Sequence, residues 1–298
     1  MHELTFRPNI ESFLAQEENL EVFEDCLDRV AQEFLELERG KGKLDFGPKL
    51  TPEILRVIAP PVIKETKEFL GVDKIGPIQI SMFDLYRSIK VSAYLGLGTF
   101  EIGTLYNFLD GAQFSDLKTP ATLGLIFGFM GVLEEFKKHI FACYDRGEEK
   151  MFLSRDEGRI IPAVGTIIHE YAHHVQRRKA KDIVKWRNPI CEGHARGVER
   201  AVSRVFAERF DEPAYLYHAI ERTAKELKDA YTYICETRGK NPKKSLKGLP
   251  IPNVRGWCYK IMGHHYSIGT AAMCISEALH GPKVYRSVIG KNFSFLKA

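Results

Sequence analysis

The sequence contains no CxxC pair. Its six cysteines, Cys26, Cys143, Cys191, Cys235, Cys258 and Cys274, are dispersed along 298 residues. That excludes a small disulfide scaffold and a cysteine-based zinc ribbon. It points instead to reduced thiols that fill small apolar spaces. Long apolar runs are missing too. The most apolar stretch, residues 121–133, is 13 residues long and carries three glycines, too short to span a bilayer. Residues 1–18 are polar and acidic, without the basic region and apolar run of a signal peptide. Together these absences predict a cytoplasmic location and no membrane association. Repeats and low-complexity tracts are also absent.

What is present is ordinary globular composition, with 44% hydrophobic and 28% charged residues, in a chain long enough to build a core without covalent staples. The net charge is only +4, but its distribution is uneven. Residues 1–150 carry 17 Lys/Arg against 25 Asp/Glu, and residues 151–298 carry 26 against 14. A basic half can attract an anionic partner such as nucleic acid. No DNA-binding motif accompanies it, and the preferred expectation is that the two halves pack together and partly neutralise each other.

Apolar spacing predicts a helix over 9–39, on Leu20, Phe23, Leu27, Val30, Phe34 and Leu37. Thr51-Pro52-Glu53 opens another, as N-cap and first turn. It runs into Pro60-Pro61, with a short helical stretch beyond to Leu70-Gly71. Alternation over 77–83 predicts a strand, and 140–144 with 150–153 a hairpin around a polar loop. Residues 85–133 resist division. Helices are expected from Pro162 to about Lys179, from Asn188-Pro189 to about Phe210, and from Glu212 or Pro213 to about Thr237. Residues 239–256 read as a basic loop, followed by a helix from near Tyr266 to 278–280.

The chemistry is concentrated in His169-Glu170-Tyr171-Ala172-His173, an HExxH motif. Random placement of 10 His in this composition gives about 0.03 such matches per chain. Side chains four apart share a helix face, so the two imidazoles can grip one zinc ion. Glu170 points beside that face and can act on a water without being a ligand. A catalytic zinc needs a third protein ligand and an open position. Glu192, separated from His173 by eighteen residues (174–191) and on the next expected helix, fits. Glu199 follows it by two turns, and could orient a ligand histidine or pair with a nearby arginine. His174, His194 and Cys191 adjoin the ligand set and are expected not to ligate. The basic run Arg177, Arg178, Lys179, Lys181 and Lys185 suits a helix C-terminus.

This HExxH, eighteen-residue gap and Glu, with Glu192, Gly193, Ala195 and Glu199 in the second helix, resembles the gluzincin metallopeptidases. It is most similar to the group that includes the zinc aminopeptidases. The upstream Gly-x-Met-Glu-Asn run by which aminopeptidases capture a substrate amino terminus is absent.

The resemblance implies a zincin-like fold of α+β, mainly helical class, with a small sheet from 75–155 against the motif helix and a helical C-terminal lobe. It implies one Zn²⁺ held by His169, His173 and Glu192. It implies peptide hydrolysis through a metal-activated water with Glu170 as general base, on a peptide or protein substrate. Tyr266 with Gly269 resembles the Tyr-x-x-Gly run by which related families return an oxyanion donor to the metal; His264 and His265 are alternates. Residues 1–71 are expected to be a helical extension on a 72–298 catalytic domain, whose cleft lies between about 72–180 and 188–298. The competing expectation is a non-catalytic binding protein that keeps the metal for structure.

Overall fold

A computed structural model describes residues 10–83, 142–145, 150–154, 158–180, 189–239, 249 and 257–296. The expectations for 85–133, for the polar hairpin loop and for nearly all of 239–256 fall outside these residues, as do Lys181 and Lys185.

The chain begins with α1 (Ile10–Leu14) and α2 (Glu17–Gly40). The single helix expected over 9–39 is thus broken. Gln16 is extended, and the Asn19 amide donates to Phe13 O at 2.8 Å and to Gln16 Oε1 at 2.7 Å. A short polar side chain has captured a carbonyl that helix continuation would have used. Helix α3 (Pro52–Leu70) is capped by the Thr51 hydroxyl, which accepts from Ile54 N at 3.3 Å, and ends on left-handed Gly71. It runs unbroken through Pro60-Pro61. The two carbonyls deprived of a donor belong to Arg56 and Val57, both on the exposed face, where water can serve them.

Three strands follow: β1 (Gln79–Phe83), β2 (Ala142–Asp145) and β3 (Lys150–Ser154), in the order β1-β3-β2. The β2–β3 pair is antiparallel with Ala142 opposite Leu153, and β1 runs parallel to β3 with Gln79 opposite Lys150. Met151 and Leu153 on alternate positions of the central strand are fully buried.

The remaining described helices are α4 (Ile160–Lys179), α5 (Pro189–Phe210), α6 (Ala214–Thr237), α7 (Trp257–His280) and α8 (Lys283–Ile289). Helix α7 starts well before Tyr266 because Gly263 is carried within the helix rather than ending it. Helix α4 is buried on nearly every side, which marks it as the centre of the fold. The small sheet packs on it through β2 and β3, and α3, α5 and α6 surround it. Helix α5 packs in turn against α6 and, most extensively, α7. The architecture is mainly helical with a small sheet against the motif helix. No described helix is long and apolar enough to cross a membrane.

The N-terminal segment is tied to this centre. Carbonyls of Phe46 and Pro48 accept from the backbone N–H groups of Ile161 (3.3 Å) and Ile160 (3.1 Å). They serve donors that a helix start leaves without partners. Acidic residues of the first half also meet basic residues of the second. Glu33 pairs with Arg204 and Glu65 with Arg209, both at 2.7 Å.

Candidate metal centre

His169, His173 and Gln176 stand at helix positions i, i+4 and i+7 of α4, so one face carries all three. Glu192 comes from the first turn of α5. The two helices bring His169 Nε2 and His173 Nε2 to 3.2 Å. Glu192 Oε2 lies 3.3 Å from the second and 3.7 Å from the first. The rings are nearly perpendicular, with centroids 4.9 Å apart. Among the described residues, these three form the one cluster of His, Cys, Asp or Glu donors close enough to share an ion.

Proton positions follow from the partners on the other side of each ring. His169 Nδ1 lies 3.2 Å from Glu199 Oε2, an ion-pair distance that favours a proton on Nδ1. His173 Nδ1 lies 3.0 Å from Gln176 Oε1, which places its proton there as well. Both Nε2 atoms face each other and a Glu192 carboxylate oxygen. Such an arrangement calls for a cation. The spacing fits one. A point equidistant from the three atoms lies about 2.0 Å from each, and zinc sits about 2.0–2.2 Å from nitrogen and oxygen ligands. The side chains are 11%, 14% and 19% exposed for His169, His173 and Glu192, so the cluster is partly open to solvent rather than sealed.

The titration behaviour expresses the same demand for positive charge. Burial pulls the His173 imidazole down, but the Glu192 carboxylate, with Glu170 and Gln176, more than reverses this and raises it to about 9. His169 is raised likewise, its burial outweighed by Glu192 and Glu199. Burial pushes Glu192 up, yet His173 and His169 hold it well below the usual carboxylate range.

Behind the cluster lies a buried ion network. Glu199 is 1% exposed and pairs with Arg196 and, at 3.3 Å, with Arg222. Burial pushes its carboxyl up, but these guanidinium groups hold it well below its ordinary value. Arg196 also reaches Glu226 Oε1, through Nη2 at 2.9 Å and Nε at 3.1 Å. Glu226 Oε2 accepts from Thr270 Oγ1 at 2.6 Å. Glu199 therefore faces His169 and pairs with arginines at once.

Glu170 is partly buried beside His169 on α4. Tyr266, on α7, is 40% exposed. The Glu192 carboxylate, desolvation and the Glu170 carboxylate all raise its hydroxyl above the ordinary range. Tyr266 thus sits within the field of both carboxylates and keeps its proton. Its helix is held close by a glycine seam. A Cβ on Gly193 would overlap the Gly269 carbonyl, and one on Gly269 would overlap the Pro189 carbonyl. The backbones of α5 and α7 therefore meet with no side chain between them, next to Glu192 and one turn beyond Tyr266.

His174 is buried with its ring beside Tyr171, centroids 5.6 Å apart, away from the convergent trio. His194 is buried and both its ring nitrogens have partners, Gln176 Nε2 at 2.8 Å and Tyr285 O at 3.0 Å. Burial is the main cause lowering it to about 3. The Cys191 side chain packs beside Ala180 and Phe293, while its carbonyl accepts from Gln176 Nε2 at 2.8 Å. The side chains of His264 and His265 lie outside the described residues. Gln176, Arg196, Arg222, Glu226 and Thr270 were not singled out by the sequence. For Gln176 the signal was there, seven residues after His169 on the same face.

No family model matches the chain, and no curated protein or solved structure matches it.

Proposed function

We propose that His169, His173 and Glu192 hold one divalent cation, most simply zinc, and that the chain hydrolyses peptide bonds as a gluzincin-type metallopeptidase with a zincin-like fold. The observation that carries this reading is the convergence of His169 Nε2, His173 Nε2 and Glu192 Oε2 within 3.7 Å of one another, beside a glutamate one residue from the first histidine. A bound zinc supplies Lewis acidity and lowers the pKa of a coordinated water.

The chain's own residues do the rest. Glu170 accepts the proton of the attacking water and delivers it to the leaving amine. Tyr266, kept protonated by the carboxylates around it, donates to the oxygen on which charge develops. Glu199 faces His169 Nδ1 and favours a proton there, and Arg196 and Arg222 keep Glu199 ionised. An open cluster with three protein donors suits catalysis, whereas structural zinc sites close all four positions with protein ligands.

The test is E170Q. Metal analysis should find one zinc per chain in both wild type and variant, while hydrolysis of a peptide library falls about 10²–10⁴-fold in the variant. A wild type that takes up no zinc, or an E170Q protein that cleaves peptides at the wild-type rate, would overturn the proposal.

A further inference from the structure

The hydrogen bonds behind His173 have a direction that two backbone carbonyls impose. A carbonyl oxygen only accepts. Tyr285 O lies 3.0 Å from His194 Nε2, so that nitrogen carries a proton. In the neutral ring Nδ1 is then bare and accepts. The Gln176 atom 2.8 Å from it must be the NH₂ group. The same NH₂ lies 2.8 Å from Cys191 O, a second acceptor that demands a donor. With its nitrogen so committed, Gln176 turns its oxygen to His173 Nδ1 at 3.0 Å. That nitrogen must carry a proton, so in the neutral ring the lone pair is on Nε2, toward Glu192 and His169.

We propose that Gln176 and His194 are positioning residues that fix the tautomer and ring orientation of His173 from α8, through three directed hydrogen bonds that begin at the Tyr285 carbonyl. This rests on the reading of His173 as a metal ligand. The origin of the chain is firmly held. The Tyr285 ring fills the notch over Gly197, where a Cβ would overlap it. Its hydroxyl donates to Glu277 Oε2 at 2.9 Å. The adjacent Arg286 donates to Phe69 O at 3.0 Å and Glu68 O at 3.3 Å at the end of α3. His194, which sequence reading set aside as a non-ligand, thus acts on the metal without touching it.

Two measurements on the full chain test this. In ¹⁵N-histidine-labelled wild type with one equivalent of zinc, long-range ¹H–¹⁵N correlation should show His173 protonated on Nδ1 and ligated through Nε2. It should show His194 protonated on Nε2. In Q176M, which keeps the volume and removes the hydrogen bonds, cobalt(II) titration followed by visible absorption should give a Kd about 10–100-fold higher. A His194 proton on Nδ1, ligation of His173 through Nδ1, or an unchanged cobalt Kd in Q176M would overturn the proposal. If Q176M fails to fold, the wild-type spectrum decides. A wild type that binds neither zinc nor cobalt fails the metal-site reading itself, a result distinct from a wild type that binds while Q176M binds equally well.

Discussion

Tyr266 holds its proton because two carboxylates and partial desolvation oppose phenolate formation, which leaves it a hydrogen-bond donor throughout the physiological range. In the proposed reaction its contribution belongs to the transition state rather than to substrate binding. Y266F should therefore lower kcat by about 10²–10³-fold with little change in KM and no change in bound zinc, measured by steady-state kinetics on a cleaved peptide. At this scale the sequence was legible where chemistry follows local spacing. The convergence of His169 and His173 follows from helix periodicity, and that of Glu192 from the length of one helix and one turn. It was illegible where a residue's meaning comes from far along the chain. His194 acquires its role from a carbonyl 91 residues away, and Arg196 from Glu226 on another helix, 30 residues on. Nothing near His194 in sequence distinguishes it from a histidine that merely packs.

Among the elements, the α5–α7 seam decides the geometry of the cluster. G193A introduces a methyl group where the Gly269 carbonyl already sits, and a backbone cannot rotate away as a side chain can. It should lose at least about 3 kcal/mol by urea unfolding. G40A, whose added Cβ meets nothing within 4 Å at φ −84, should be neutral or stabilising by about 0.4–1 kcal/mol.

Helix α6 supplies an acid-sensitive contact. Glu221 is pushed up by burial, but His218 and Lys225 outweigh this and lower it to about 2. Its folded pKa lies below the ordinary 4.5, so the unfolded chain binds more protons between these values. The stability it confers is complete above pH 4.5 and is lost as pH falls through about 2. E221Q should remove on the order of 2–3 kcal/mol of that pH dependence, seen as a flatter plot of urea midpoint between pH 4.5 and pH 2. Helix ends were read less well than helix existence. Asn19 breaks α2 from α1, exposed prolines leave α3 whole, and α7 continues through Gly263, because each outcome depends on which carbonyls can find a donor or water.

At the scale of the whole molecule, one apolar cluster runs from α1 to the chain's C-terminal region, and the first half of the sequence is bonded to the second at its most central helix. Ion pairs such as Glu65–Arg209 are individually worth little, but they show where the opposite charges of the two halves go. Because a cation held by His169, His173 and Glu192 would bind the folded chain in preference to the unfolded one, metal should stabilise the entire fold. At zinc concentrations near 100 times Kd the gain is about 2.7 kcal/mol, or roughly 4 °C in Tm for a chain of 298 residues. Differential scanning calorimetry with and without a chelator measures it.

The glycine seam carries one more implication, for anyone seeking to redesign the protein. Where two peptide backbones touch directly, no methylene exists to be trimmed. A library that randomises positions 193 and 269 would return only the parental residue, and the gap between the Glu192 carboxylate and the Tyr266 hydroxyl would behave as a fixed jaw.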